Sequence, residues 1–126
     1  EPLCPNAAPV CGASFSGGAG CVSAGSCALT PPRAYELYPG GPVTITLSGN
    51  LNRLEVMFSG YAGSTGVMTF RDAQGVQVDG PLYTNGNCQF GPPPPQLRTF
   101  SRPIRSIQVT ASGGAVWIDM FHVNPP

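Results

Sequence analysis

From Val43 onward the chain alternates with a period of two. Val43, Ile45 and Leu47 fall on one side and Thr44, Thr46 and Ser48 on the other, the pattern of a half-buried strand. Leu54, Val56 and Phe58 repeat it, with Arg53, Glu55 and Met57 turned the opposite way. Val67 to Arg71 and Val76 to Val78 read as a hairpin around Asp72-Ala73-Gln74-Gly75, whose Asp and Gly suit a tight turn. Ile107, Val109 and Ala111 continue the alternation. Gly113-Gly114 then predicts a second hairpin turn into Ala115 to Val123, the most apolar strand of all. With short strands at Ala34 to Tyr38 and around Leu97 to Phe100 the count is about eight, and no helical period of useful length intervenes. The predicted fold class is all-β, an antiparallel β-sandwich. In its last strand Val116 and Ile118 have one parity and Phe121 and Val123 the other, so a bulge near Asp119 is needed to bring all four to one core.

The segment before these strands has a different character. Residues 1–31 are rich in Gly, Ala, Ser and Cys and too poor in large side chains to build a core, which divides the chain into an N-terminal arm, 1–31, and a β-sandwich domain, 32–126. Such an arm orders only by docking, on its own domain or on a neighbour. Cys4, Cys11, Cys21 and Cys27 crowd into it and Cys88 stands alone downstream. Their spacings are not those of zinc sites and no histidine lies near, so disulfides are expected, and with them an oxidising compartment. Five cysteines allow fifteen ways to form two bonds with one left over, and the odd one is open to a partner outside the chain. Gly80 to Pro95, with the run Pro92-Pro93-Pro94-Pro95, reads as a rigid crossover between sheets.

Charge narrows the function. The chain has 126 residues, of which only 10% are charged; the net charge is zero and every basic residue apart from the single histidine is arginine. With no electrostatic excess, nucleic acid and anionic membranes are poor partners, while low repulsion leans toward self-association. No apolar run approaches a membrane span, and the chain opens at Glu1 without a leader, as expected of a secreted protein already processed. No catalytic residues are identified. His122 is the one histidine and sits in an apolar strand, the carboxylates are dispersed, and Cys88 has no basic neighbour to activate it.

From Arg33 the chain resembles the galactose-binding-like jelly rolls, a family that includes many secreted carbohydrate-binding and adhesion modules. The residues that carry the resemblance are Ala34-Tyr35-Glu36-Leu37-Tyr38, Phe70-Arg71-Asp72-Ala73-Gln74-Gly75, Ile104 to Val109 and Trp117-Ile118-Asp119-Met120-Phe121-His122-Val123. It implies a jelly-roll sandwich and a structural calcium where the first strand meets the last, at the positions of Glu36 and Asp119; no other cofactor is expected. Sugar binding would need exposed aromatic planes, for which Trp117, Tyr35, Tyr38, Tyr61 and Tyr83 are candidates, with Arg98, Asn85 and Asn87 as polar companions. The plainer role for a lone tryptophan is to cover a sheet. Two functions follow. The first is a non-catalytic secreted structural or adhesive protein, a subunit of a pilus, filament or surface layer joined to itself or another surface protein through the arm. The alternative is a carbohydrate-binding jelly-roll module, and an exposed aromatic platform is the feature that separates them.

Overall fold

The computed structural model describes residues 13–16, 19–23, 33–37, 42–60, 63–86, 88 and 93–124. Its strands are β1 (Ala13–Ser16), β2 (Ala19–Ser23), β3 (Arg33–Leu37), β4 (Val43–Ser59), β5 (Thr65–Arg71), β6 (Leu82–Tyr83), β7 (Gln96–Ser112) and β8 (Val116–Val123), all paired antiparallel. No helix occurs among the described residues, so none is long and apolar enough to cross a membrane.

Two long strands build the sandwich. β4 and β7 pair along both their halves, and each half belongs to a different layer. In the first layer the order is β1, the start of β4, the end of β7, β5 and β6. In the second it is β2, β3, β8, the end of β4 and the start of β7. Alternation alone predicts four separate strands here. Each pair runs together instead because Ser48 to Arg53 and Phe100 to Ile104 bend without leaving the ladder, through register shifts between Thr46 and Leu51 and between Leu51 and Arg53. Asn124 straps the bend of β4: its Oδ1 accepts from Asn52 N (2.6 Å) and Arg53 N (3.2 Å), and its Nδ2 donates to Asn50 O (2.9 Å).

The core lies between the layers. Ile45 from the start of β4, Phe58 from its end, Phe70 from β5, Ile107 from β7 and Ile118 from β8 are all fully buried. At Gly66 the layers approach so closely that a Cβ would lie 2.7 Å from Phe58 Cζ and 3.1 Å from Val116 Cγ1. β8 carries the predicted bulge: Met57 pairs with Asp119 but Glu55 with His122, so three steps on β8 face two on β4.

Two expectations are corrected. Gly113 and Gly114 have φ of 77° and 144°, but they do not close a hairpin, because β8 pairs with β3 and β4 and not with β7; the turn carries the chain from one layer to the other. Met57, read on the side of Arg53 and Glu55 and away from the apolar face of Leu54, Val56 and Phe58, is fully buried as well. Beside the end of β4, Asn85 N donates to Phe58 O, Gly60 N to Gly86 O and Cys88 N to Gly60 O. Burial continues unbroken through Val56 to Gly60, so both faces of β4 are covered there.

The arm supplies two described strands, β1 on the edge of β4 and β2 on the edge of β3, both within the chain. Cys88 is fully buried and disulfide-bonded, and the side chain of its partner lies outside the described residues. Its sulfur sits 3.2 Å from Gly60 O; as a disulfide sulfur it carries no proton to donate. Cys88 is therefore not the cysteine left over. Cys4, Cys11 and Cys27 lie outside the described residues, as do Tyr38, Tyr61, Asn87 and Pro92.

Candidate functional site

The outward side of the first layer is a flat field of uncharged polar groups. On β5 the outward positions are Thr65, Val67, Thr69 and Arg71, alternating with buried Gly66, Met68 and Phe70. On β7 they are Ser106, Gln108, Thr110 and Ser112. Register sets Thr65 against Ser112, Val67 against Thr110, Thr69 against Gln108, and Gln108 in turn against Thr44 of β4. From Thr65 to Thr69, and from Ser106 to Ser112, there is no charged residue.

Tyr83 stands at the edge of this field. Leu82 turns into the core, so Tyr83 on β6 turns outward, paired with Val67 and 59% exposed. An exposed phenol ring beside an aliphatic side chain and a row of hydroxyls offers both an apolar plane and hydrogen-bonding groups.

The loop that presents Tyr83 is anchored by the polar residues predicted as ligand contacts. Arg98 Nη1 donates to Gly80 O (2.7 Å) and its Nη2 to Pro81 O (3.2 Å), while its guanidinium lies 5.6 Å from the centre of the Phe70 ring. Asn85 Nδ2 donates to Pro94 O (3.1 Å), and Gln96 Nε2 to Tyr83 O (2.8 Å). Arg98 and Asn85 thus hold the backbone on either side of Tyr83.

Two aspartates fix the turns on either side. Asp79 has φ 57°, a conformation that Asp tolerates better than most residues. Its Oδ1 accepts from Ser101 Oγ (2.6 Å) and its Oδ2 from Ser101 N (2.8 Å). Asp72 Oδ1 accepts from Val76 N and Gln74 N, and its Oδ2 from Arg102 Nη2 (3.2 Å). Both carboxyls are held below their ordinary range, Asp72 first by the Val76 N–H and Asp79 first by the Ser101 hydroxyl. Folded values below the unfolded value of about 4 mean that these turns stabilise the fold above that pH and lose their contribution as pH falls through the folded values. Stability is therefore expected to drop on acidification below about pH 4, and Asp79→Asn to flatten that slope. Thermal unfolding across a pH series would check this, and parallel slopes for variant and wild type would contradict it.

The other predicted residues lie elsewhere. Trp117 is half-buried on β8, opposite Glu36 on one side and Ser59 on the other, away from the face that carries Tyr83. Tyr35 pairs with Ile118 on the same strand. Asp119 follows two residues after Trp117, so Glu36 and Asp119 occupy neighbouring strands near one another, and no cluster of three or more metal-ligating side chains occurs among the described residues. Sequence analysis missed Thr65, Val67, Thr69, Gln108 and Thr110. Apart from Val67, their signal is the polar side of the alternation along β5 and β7.

No family model matches the chain, and no curated protein matches it. The structure does have a solved likeness. TmCBM61, determined in complex with beta-1,4-galactotriose, superposes with a TM-score of 0.53 at 17% identity, over 90% of this chain and 88% of that one. This chain has the fold of a carbohydrate-binding β-sandwich module. At that identity the likeness is one of fold, and the jelly-roll resemblance read from the strand pattern agrees with it.

Proposed function

We propose that this protein is a non-catalytic carbohydrate-binding β-sandwich that holds a neutral, β-linked sugar chain on the outer face of its first layer. The observation that carries the reading is the exposed ring of Tyr83 at the margin of an uncharged hydroxyl and amide face. A pyranose ring has an apolar side that stacks on an aromatic plane and a rim of hydroxyls that both donate and accept. Thr69, Gln108 and Thr110 supply matching groups, and an open face suits a chain better than a single enclosed sugar. The fold likeness to a carbohydrate-binding module supports the same reading.

The filament-subunit reading loses ground to this alternative. It relied on an arm that docks on a neighbouring subunit, and the described arm strands use the edges of their own chain. Secretion fits the cysteine usage and the disulfide at Cys88. Calcium held by Glu36 and Asp119 is a separate proposal, supported by their placement on neighbouring strands; two carboxylates would leave at least about four of the ion's six to eight oxygens to main-chain carbonyls or water. A melting temperature raised by calcium chloride and lowered again by a chelator is expected, and no shift would remove the proposal.

Affinity electrophoresis through gels containing neutral β-linked polysaccharides, galactan among them, tests the main reading. The wild type is expected to be retarded and Tyr83→Ala to bind about tenfold or more weakly, the loss of an aromatic anchor. Equal retardation of the two would contradict the assignment of Tyr83, and free passage of the wild type through every neutral gel would contradict the function.

A further inference from the structure

A second feature lies at the other end of the same layer. The turn after β5 leaves two open grooves, one on each side of the corner at Asp72 and Ala73. The first, of about 250 Å³, is lined by Asn50, Gln74 and Arg102, and the second, of about 350 Å³, by Thr46 and Ser106; Arg105 lines both. Of these residues only Ser106 also lies on the outward polar face described above, two residues from Gln108; the others are not among the residues assigned to the Tyr83 surface. Tyr83 itself pairs with Val67, five residues before Asp72, which puts it roughly 15 Å along the strand from the corner.

Charge in the grooves is unbalanced in a specific way. Arg102 is committed to Asp72 and Gln77 O, Arg98 to Gly80 and Pro81, and Arg71 to Gly75 O. Arg53 also has a partner. Among the arginines whose side chains are described, Arg105 alone makes no hydrogen bond or ion pair, and its side chain is exposed. Asp72 is engaged by the turn and by Arg102, and no ion pair joins it to Arg105. A planar guanidinium with five free donors, set between amides and hydroxyls in open grooves, matches a carboxylate carried on a polyhydroxyl body.

We propose that these grooves form a binding site for an acidic sugar, a uronate unit of a polysaccharide, with Arg105 as the cation that holds its carboxylate. Asn50, Gln74, Thr46 and Ser106 then take the ring hydroxyls. A single local cation suits one carboxylate per sugar better than the dense charge of a nucleic acid, consistent with the zero net charge of the chain. The sugar in this proposal rests on the carbohydrate reading, and the carboxylate rests on Arg105 alone.

Isothermal titration with oligogalacturonate and with a neutral galactan oligosaccharide separates the two. Wild type is expected to bind oligogalacturonate, more weakly as salt rises, and Arg105→Gln to bind it about tenfold or more weakly with neutral binding intact. Tyr83→Ala is expected to lose the neutral ligand and keep the acidic one. Absence of oligogalacturonate binding, or equal binding by Arg105→Gln, overturns the inference and leaves the neutral-chain reading standing. Equal competition by an oligoglutamate peptide overturns the sugar assignment in favour of a general anion patch. Binding of the acidic ligand without the neutral one supports the inference and tells against the Tyr83 surface.

Discussion

Phe70→Ala is expected to lower the stability of the fold by about 3–5 kcal/mol and to weaken sugar binding with it. Phe70 is fully buried on β5, and its ring centre lies 4.6 Å from that of Phe100 at an angle of 59°. Truncation removes the transfer energy of the ring, leaves a cavity between the layers, and loses the aromatic pair. It also removes the surface over which Arg98 rests while holding the carbonyls of Gly80 and Pro81. The loop that turns Leu82 inward and Tyr83 outward loses its support from below. Urea unfolding with disulfides intact measures the first effect and titration with a neutral oligosaccharide the second. Loss of stability with unchanged affinity would show that the loop is held without Arg98.

Gly66→Ala is expected to destabilise by about 1–3 kcal/mol although it adds a single methyl group. The position has no positive φ to relieve, so the effect is one of space. The new Cβ would meet Phe58 Cζ and Val116 Cγ1 at the distances seen in the structure, and neither side chain can retreat, since both are fully buried. The two layers would have to part. Gly80→Ala is the control: nothing lies within 4 Å of its Cβ, and a neutral or slightly stabilising effect is expected. If Gly66→Ala unfolds at the same urea concentration as wild type, the layers are not packed as closely as described.

The period-two pattern made 43–48, 67–71 and the bulge of β8 legible, because a half-buried strand must alternate and four apolar residues of mixed parity cannot share a core without a shift. It misled at Gly113-Gly114, since a glycine turn with positive φ serves a hairpin and a crossover between layers equally well. The fusion of 43–48 with 54–58 was not legible, because the strap from Asn124 that steadies the bend comes from more than seventy residues away. The same limit applies to function. Tyr83 could be named as an aromatic in an irregular stretch, but Arg98 was read as a ligand contact when its carbonyl acceptors lie 17 and 18 residues upstream. Gln108 and Thr110 reach the Tyr83 surface only through strand register, and Arg105 comes to line one groove with Asn50 and Gln74 only through the fold.

The most direct test of the central claim is a titration of the isotopically labelled protein with a neutral β-linked oligosaccharide, followed through its backbone amide resonances. The account predicts saturable shifts at Val67, Thr69, Tyr83, Gln108 and Thr110, with Trp117 and its neighbours on β8 unmoved. Shifts confined to β8 and β3, or none at saturating ligand, would contradict it.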